Sequence, residues 1–197
     1  MSALIALVRH GRTSWNEERR IQGRADSPLT DEGAREVAAW PEILRVYGFS
    51  ALYSSPIGRA ALTADALGRG LGLPVRTESG LAEQEFGSWT GLTVPELRAA
   101  GLLAPQEAVG WAFTPPGGEA RAEVLARSWE ALTRLARAHE GQSILAVTHE
   151  GVVRAVLYAL LGRDYLPSEP KILAPRALHL LRAEGGCLAI EAMNLPL

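Results

Sequence analysis

The chain has 197 residues, with 20 basic and 22 acidic side chains, a net charge of -2 and 47% hydrophobic content. Nineteen of the basic residues are arginines; Lys171 is the single lysine and Cys187 the single cysteine. These counts exclude an intrachain disulfide, a Cys-x-x-Cys redox pair, a thiolate zinc cluster and, with no Gly-rich loop before Lys171, a P-loop nucleotide site. The slightly negative charge argues against general nucleic-acid binding.

Residues 3–9 form a short continuous apolar run, the pattern of a strand buried on both faces. No basic segment precedes it, so it reads as a first strand rather than a signal peptide. The run ends at His10-Gly11, where the chain must turn. Pro28-Leu29-Thr30 opens a helix with Thr30 as N-cap, and Pro41 is expected to kink or split it. A second strand covers 51–54. Ser55-Pro56 reads as N-cap and first residue of the next helix, which runs to about Leu71. A third strand covers 74–77. From 81 to 118 the pattern weakens, with one short helix near 93–100. Helical spacing returns at Leu125, Trp129, Leu132 and Leu135. Another buried strand covers 143–148 and a helix follows from about 151 to 161. Segments 177–182 and 187–192 flank Glu184-Gly185-Gly186, a hairpin signal.

Strands alternating with helices imply an α/β sandwich with a mostly parallel, mixed sheet, in one domain covering 1–197. A chain of this length buries roughly 70% of its unfolded surface without staples. No apolar run approaches the ~20 residues that span a bilayer. A cytoplasmic protein with no membrane association is expected. The irregular stretch 92–117 is the candidate lid or specificity segment. Its Trp111 and Phe113 could stack on a substrate ring or pack the segment onto the body; packing is the favoured reading.

Ligands in open α/β sheets bind at the carboxyl ends of strands. The strands here are followed in turn by Arg9-His10-Gly11, by Ser54-Ser55-Pro56 with Arg59 one turn on, by Leu81-Ala82-Glu83, and by Thr148-His149-Glu150. Two histidines, two arginines and a carboxylate thus meet at one sheet edge. Arginine forks match phosphate oxygens, an imidazole can attack phosphorus and a carboxyl group can donate a proton. Each residue alone has a duller explanation, as a hydrogen-bonded or solvated group; their joint placement is what points to phosphate chemistry. His139 and His179 have no such setting and are read as structural. Most other arginines lie beside glutamates on helices and are read as solvated faces, with Arg12, Arg24 and Arg154 bordering the pocket.

These residues resemble the histidine phosphatase superfamily, in its phosphoglycerate mutase-like branch. Arg9-His10-Gly11-Arg12-Thr13-Ser14-Trp15-Asn16 is similar to the family's signature. The likeness continues in 23–33, in 53–60 with Thr63-Ala64, in 81–91, in Pro116-Gly117-Gly118-Glu119 and in Val147-Thr148-His149. The pattern is nearest to the broad-specificity and alpha-ribazole phosphatases. What the resemblance implies is a three-layer α/β/α sandwich and a metal-independent phosphomonoesterase with no cofactor, acting on a small phosphorylated substrate. His10 would be the nucleophile that becomes phosphohistidine. Arg9, Arg59 and His149 would hold the phosphoryl oxygens. Glu83 would be the acid, with Glu85 as its backup, and Asn16, Gln22, Gly23 and Glu150 would contact substrate. Glu150 departs from the family, which usually has Gly after the second histidine. Family members are often dimers, though nothing in the sequence identifies an interface. Two other readings stay open: a cofactor-dependent phosphoglycerate mutase, and a phospho-ligand binding protein without turnover.

Overall fold

The computed structural model describes residues 2–197. The elements run β1 (Ala3–Arg9), α1 (Ser14–Glu17), α2 (Asp31–Leu44), β2 (Ala51–Ser54), α3 (Gly58–Leu71), β3 (Val75–Thr77), α4 (Val94–Ala99), α5 (Leu103–Glu107), α6 (Arg121–Ala138), β4 (Ser143–Thr148), α7 (Glu150–Leu160), β5 (Ala177–Glu184) and β6 (Cys187–Pro196). The strands form one sheet in the order β3-β2-β4-β1-β5-β6. β3, β2, β4 and β1 run parallel; β5 is antiparallel to β1, and β6 is antiparallel to β5. Gly185 and Gly186, at φ +59° and +84°, make the two-residue turn between β5 and β6, a left-handed backbone that favours glycine.

Alternation along β1 builds the three layers. Ala3, Ile5 and Leu7 face a core with Leu132, Leu135, Val153 and Leu157 of α6 and α7. Ala6 and Val8 face the other, with Val37, Trp40, Ala60, Ala64 and Leu67 of α2 and α3. Because both faces of β1 are covered, the strand reads as a continuous apolar run. Among the described residues no helix is long and apolar enough to cross a membrane.

Pro41 neither splits nor ends α2; the helix continues to Leu44. The proline ring sits directly on Gly70 of α3, where any side chain would collide with it. That buried contact offsets the lost backbone hydrogen bond. Helix α3 starts at Gly58, later than Ser55-Pro56 suggested, and Ser55 does not cap it. Asp26, from a distant loop, accepts from Arg59 N at 3.1 Å and occupies that role. Ser55 Oγ instead accepts from Ile57 N at 3.3 Å, which leaves its hydroxyl proton for another partner.

Candidate active site

Both histidines stand where β1 and β4 end side by side. The Arg9–Thr148 register places them together, and His10 N donates to Thr148 O at 3.0 Å. Their ring centroids are 5.2 Å apart. His10 Nδ1 lies 2.7 Å from Gly11 O. A carbonyl can only accept, so Nδ1 carries the proton and Nε2 keeps its lone pair. Arg59 Nε donates to that Nε2 at 3.1 Å. Burial, followed by the charges of Arg9 and Arg59, holds the His10 pKa well below 6.5. The imidazole is thus neutral, in one tautomer, and nucleophilic at Nε2.

Arg59 is 1% exposed. Its remaining nitrogens donate to Ala25 O at 2.7 Å and Gly23 O at 2.8 Å. Gly23 has φ +54°, so it turns its carbonyl inward at a backbone angle that favours glycine. Arg59 is clamped by the 23–25 loop and touches His10 Nε2 directly.

His149 is fully buried. Its Nε2 lies 2.7 Å from Ser55 Oγ. Its Nδ1 has no hydrogen-bond partner. Burial, then the nearby His10, Arg59, Arg9 and Arg127, lowers its pKa well below 6.5. An unpaired buried polar atom costs about 1–3 kcal/mol, which an incoming phosphoryl oxygen could recover.

Glu83 accepts from Gln84 N at 2.8 Å and from Gly151 N at 3.3 Å. Gly151 leaves room for that carboxylate; a Cβ there would collide with it. Burial raises the Glu83 pKa, against the two backbone hydrogen bonds and the charges of Arg59 and Arg9. Glu85 turns elsewhere, 3.9 Å from Arg24 and accepting from Gly87 N.

A cavity of about 490 Å³ opens beside His10. Arg9, Arg12, Asn16 and Glu150 line it. Asn16 Oδ1 is occupied by Thr13, accepting from its N at 3.0 Å and its Oγ1 at 3.1 Å. Glu150 bridges two arginines, Arg9 at 2.5 Å and Arg154 at 2.7 Å. Gln22 is not on this wall: it is buried and accepts from Ser27 Oγ.

The opposite wall comes from 173–177 and His179, none of which the sequence marked as site residues. Residues 92–117 do not line this cavity. Phe113 packs with Trp89, Leu97 and Leu103. Trp111 stacks edge-on against Tyr165 and donates to Arg163 O. His139 is structural, bonded to Tyr53 and Gln142. His179, read as structural, borders the cavity while accepting from Asn194 N through Nδ1.

Burial lowers the His179 pKa from 6.5 to about 4. The unfolded chain therefore binds the extra proton first as pH falls. Stability present above pH 6.5 is lost as pH drops toward about 4. His10 and His149 act with the same sign. Thermal melts across this window should fall less steeply for His179→Gln than for wild type; parallel curves would remove His179 from the effect.

Comparison with known proteins places the chain in a family. A family model described as histidine phosphatase superfamily (branch 1) matches residues 5–196. The bifunctional protein Rv2228c of Mycobacterium tuberculosis is 37% identical over 158 residues, which cover 78% of this chain and 43% of that protein. The chain thus spans less than half the length of that relative. Glucosyl-3-phosphoglycerate phosphatase of Mycolicibacterium vanbaalenii is 34% identical, over 80% of this chain and 74% of its own. The structure of Bacillus stearothermophilus YhfR superposes with a TM-score of 0.87 at 31% identity, covering 96% of each chain.

Proposed function

Because the chain belongs to the histidine phosphatase superfamily, we propose that it is a metal-independent phosphomonoesterase, working through a phosphohistidine on His10 and acting in the cytoplasm on small phosphorylated metabolites. The observation that carries this reading is the fixed tautomer of His10. Gly11 O takes the Nδ1 proton, and the Nε2 lone pair stands in a cluster of cations.

The substrate phosphoryl group enters beside His10. One oxygen takes over the Arg59 Nε–H, which frees the Nε2 lone pair. Arg9 and the unpaired Nδ1 of His149 supply further donors. Nε2 attacks phosphorus as the ester P–O bond breaks, and Glu83 gives its proton to the departing alcohol oxygen. In the second half-reaction Glu83, now a carboxylate, takes a proton from water. The water oxygen attacks phosphorus, the P–N bond breaks, and phosphate leaves with His10 neutral again. Charge spread over the equatorial oxygens is met by fixed positive donors. Splitting a very slow hydrolysis into two transfers lowers each barrier.

The test is release of inorganic phosphate from p-nitrophenyl phosphate and alkyl phosphates, with EDTA present. Hydrolysis supports the reading. Interconversion of phosphoglycerates without phosphate release would favour a mutase instead, and binding without turnover a ligand-binding protein.

Glu150 bears on substrate choice. It neutralises Arg9 and places a carboxylate on the cavity wall, where it repels a second anion on the substrate. Glu150→Gly should raise kcat/KM for carboxylated phosphoesters, relative to alkyl phosphates with no second charge, by about three- to tenfold, the scale of ~1 kcal/mol for a partly exposed charge pair. A panel with an unchanged profile would sink the idea.

A further inference from the structure

Glu83 lies in a segment, 82–86, that is neither helix nor strand. No sheet ladder fixes it, yet a proton donor must be held within hydrogen-bond reach of one ester oxygen. Arg127, on α6, supplies the hold. Nη1 donates to Gly80 O at 2.9 Å and Ala82 O at 2.7 Å, and Nη2 donates to Glu83 O at 3.1 Å. Nε and Nη2 also grip the Glu119 carboxylate at 2.7 and 2.9 Å. These five bonds match the five N–H donors of a guanidinium.

Glu119 completes the clamp from the other side. Its backbone O accepts from Gln84 Nε2 at 2.7 Å and its N donates to Glu85 O at 2.9 Å. Its carboxylate accepts from Glu85 N at 3.3 Å. Burial works to raise its pKa, but the hydrogen bond and charge of Arg127, joined by Glu85 N and the charge of Arg24, lower it. The segment is thus tied on both sides of Glu83. Gly80 lets it lie against α6, since a Cβ there would press on Ala131 Cβ and Arg127 O.

We propose that Arg127 is a positioning residue for the proton donor: by holding the carbonyls of residues 80, 82 and 83 it aims the Glu83 carboxyl group at the leaving oxygen. This rests on the phosphatase reading. A lysine has three donors on one point charge and cannot reproduce the fork.

The experiment compares leaving groups. p-Nitrophenolate departs with little need of a proton, whereas an alkoxide needs one. Arg127→Met should lower the rate of phosphohistidine formation from an alkyl phosphate, read in the first turnover by rapid quench, by about 10- to 100-fold, part of the 10²–10⁴ that a placed general acid contributes. From p-nitrophenyl phosphate the same first-turnover rate should fall only a few-fold; the water step that follows is common to both esters and does not enter it. Arg127→Lys should show the same selectivity to a smaller degree, and it stands in if the methionine variant does not fold by circular dichroism. Equal losses of the first-turnover rate on both esters, or no loss on either, would overturn the proposal. A wild-type chain that hydrolyses neither ester would reject the phosphatase reading itself, and the proposal with it.

Discussion

Replacing His10 with alanine should reduce kcat by about 10⁴- to 10⁶-fold, the scale on which removing a covalent nucleophile acts elsewhere. The rest of the site cannot substitute for it. His149 is committed to Ser55 through Nε2, and its other nitrogen has no basic neighbour to activate it. Arginines and a buried carboxyl group stabilise charge but do not attack phosphorus at neutral pH. Rapid quenching into base separates this from a binding defect. Wild type should yield a base-stable, acid-labile phosphoprotein, and His10→Ala none, while still binding vanadate or phosphate. The substitution also leaves Arg59 Nε without its partner. An unsatisfied buried donor costs about 1–3 kcal/mol, so a modest fall in melting temperature is expected alongside lost turnover. A phosphoprotein that survives in His10→Ala would move the nucleophile to another residue.

The chemistry at the ends of β1 and β4 was legible because each strand is an apolar run closed by a polar residue. Arg9-His10 and Thr148-His149 could be read straight off that change. What the sequence concealed is which strand lies next to which. β5 is antiparallel to β1 and beside it, so residues leading into β5 come to the carboxyl end of β1. That adjacency brings 173–177 and His179 to the cavity, and nothing in their own spelling announces it. Ser55 shows a related limit. A serine before Pro reads as a local cap, but Asp26 reaches in from far along the chain and takes that task. Arg127 shows the same limit. On a helix with neighbouring glutamates it reads as a solvated charge, yet its guanidinium points inward at three carbonyls. Local pattern reports periodicity and polarity; it does not report long-range partners.

Glu83→Gln should have the second-largest effect, and its dependence on pH and leaving group identifies the role. Turnover of an alkyl ester requires His10 neutral and Glu83 protonated at once. Burial and the charges of Arg9 and Arg59 hold the His10 pKa well below 6.5, which favours its neutral form. Glu83 is raised from 4.5 by burial, and a bound phosphate dianion raises it further by like-charge repulsion. Loss of its proton as pH rises through that raised value sets the alkaline limb of kcat. In Glu83→Gln this limb should vanish, and kcat on alkyl phosphates should fall about 10²- to 10⁴-fold. p-Nitrophenyl phosphate should lose far less in its first half-reaction, because its leaving group needs little protonation. Its second half-reaction still lacks a base for water, so the phosphohistidine should accumulate and give a burst of nitrophenol followed by a slow steady rate. An amide NH2 cannot accept from both Gln84 N and Gly151 N, so one backbone donor is left unpaired. Aspartate at 83 controls for that perturbation: it keeps a titrating carboxyl group on a shorter arm, so the alkaline limb should persist at reduced kcat. If the limb survives in the glutamine variant, a different group delivers the proton.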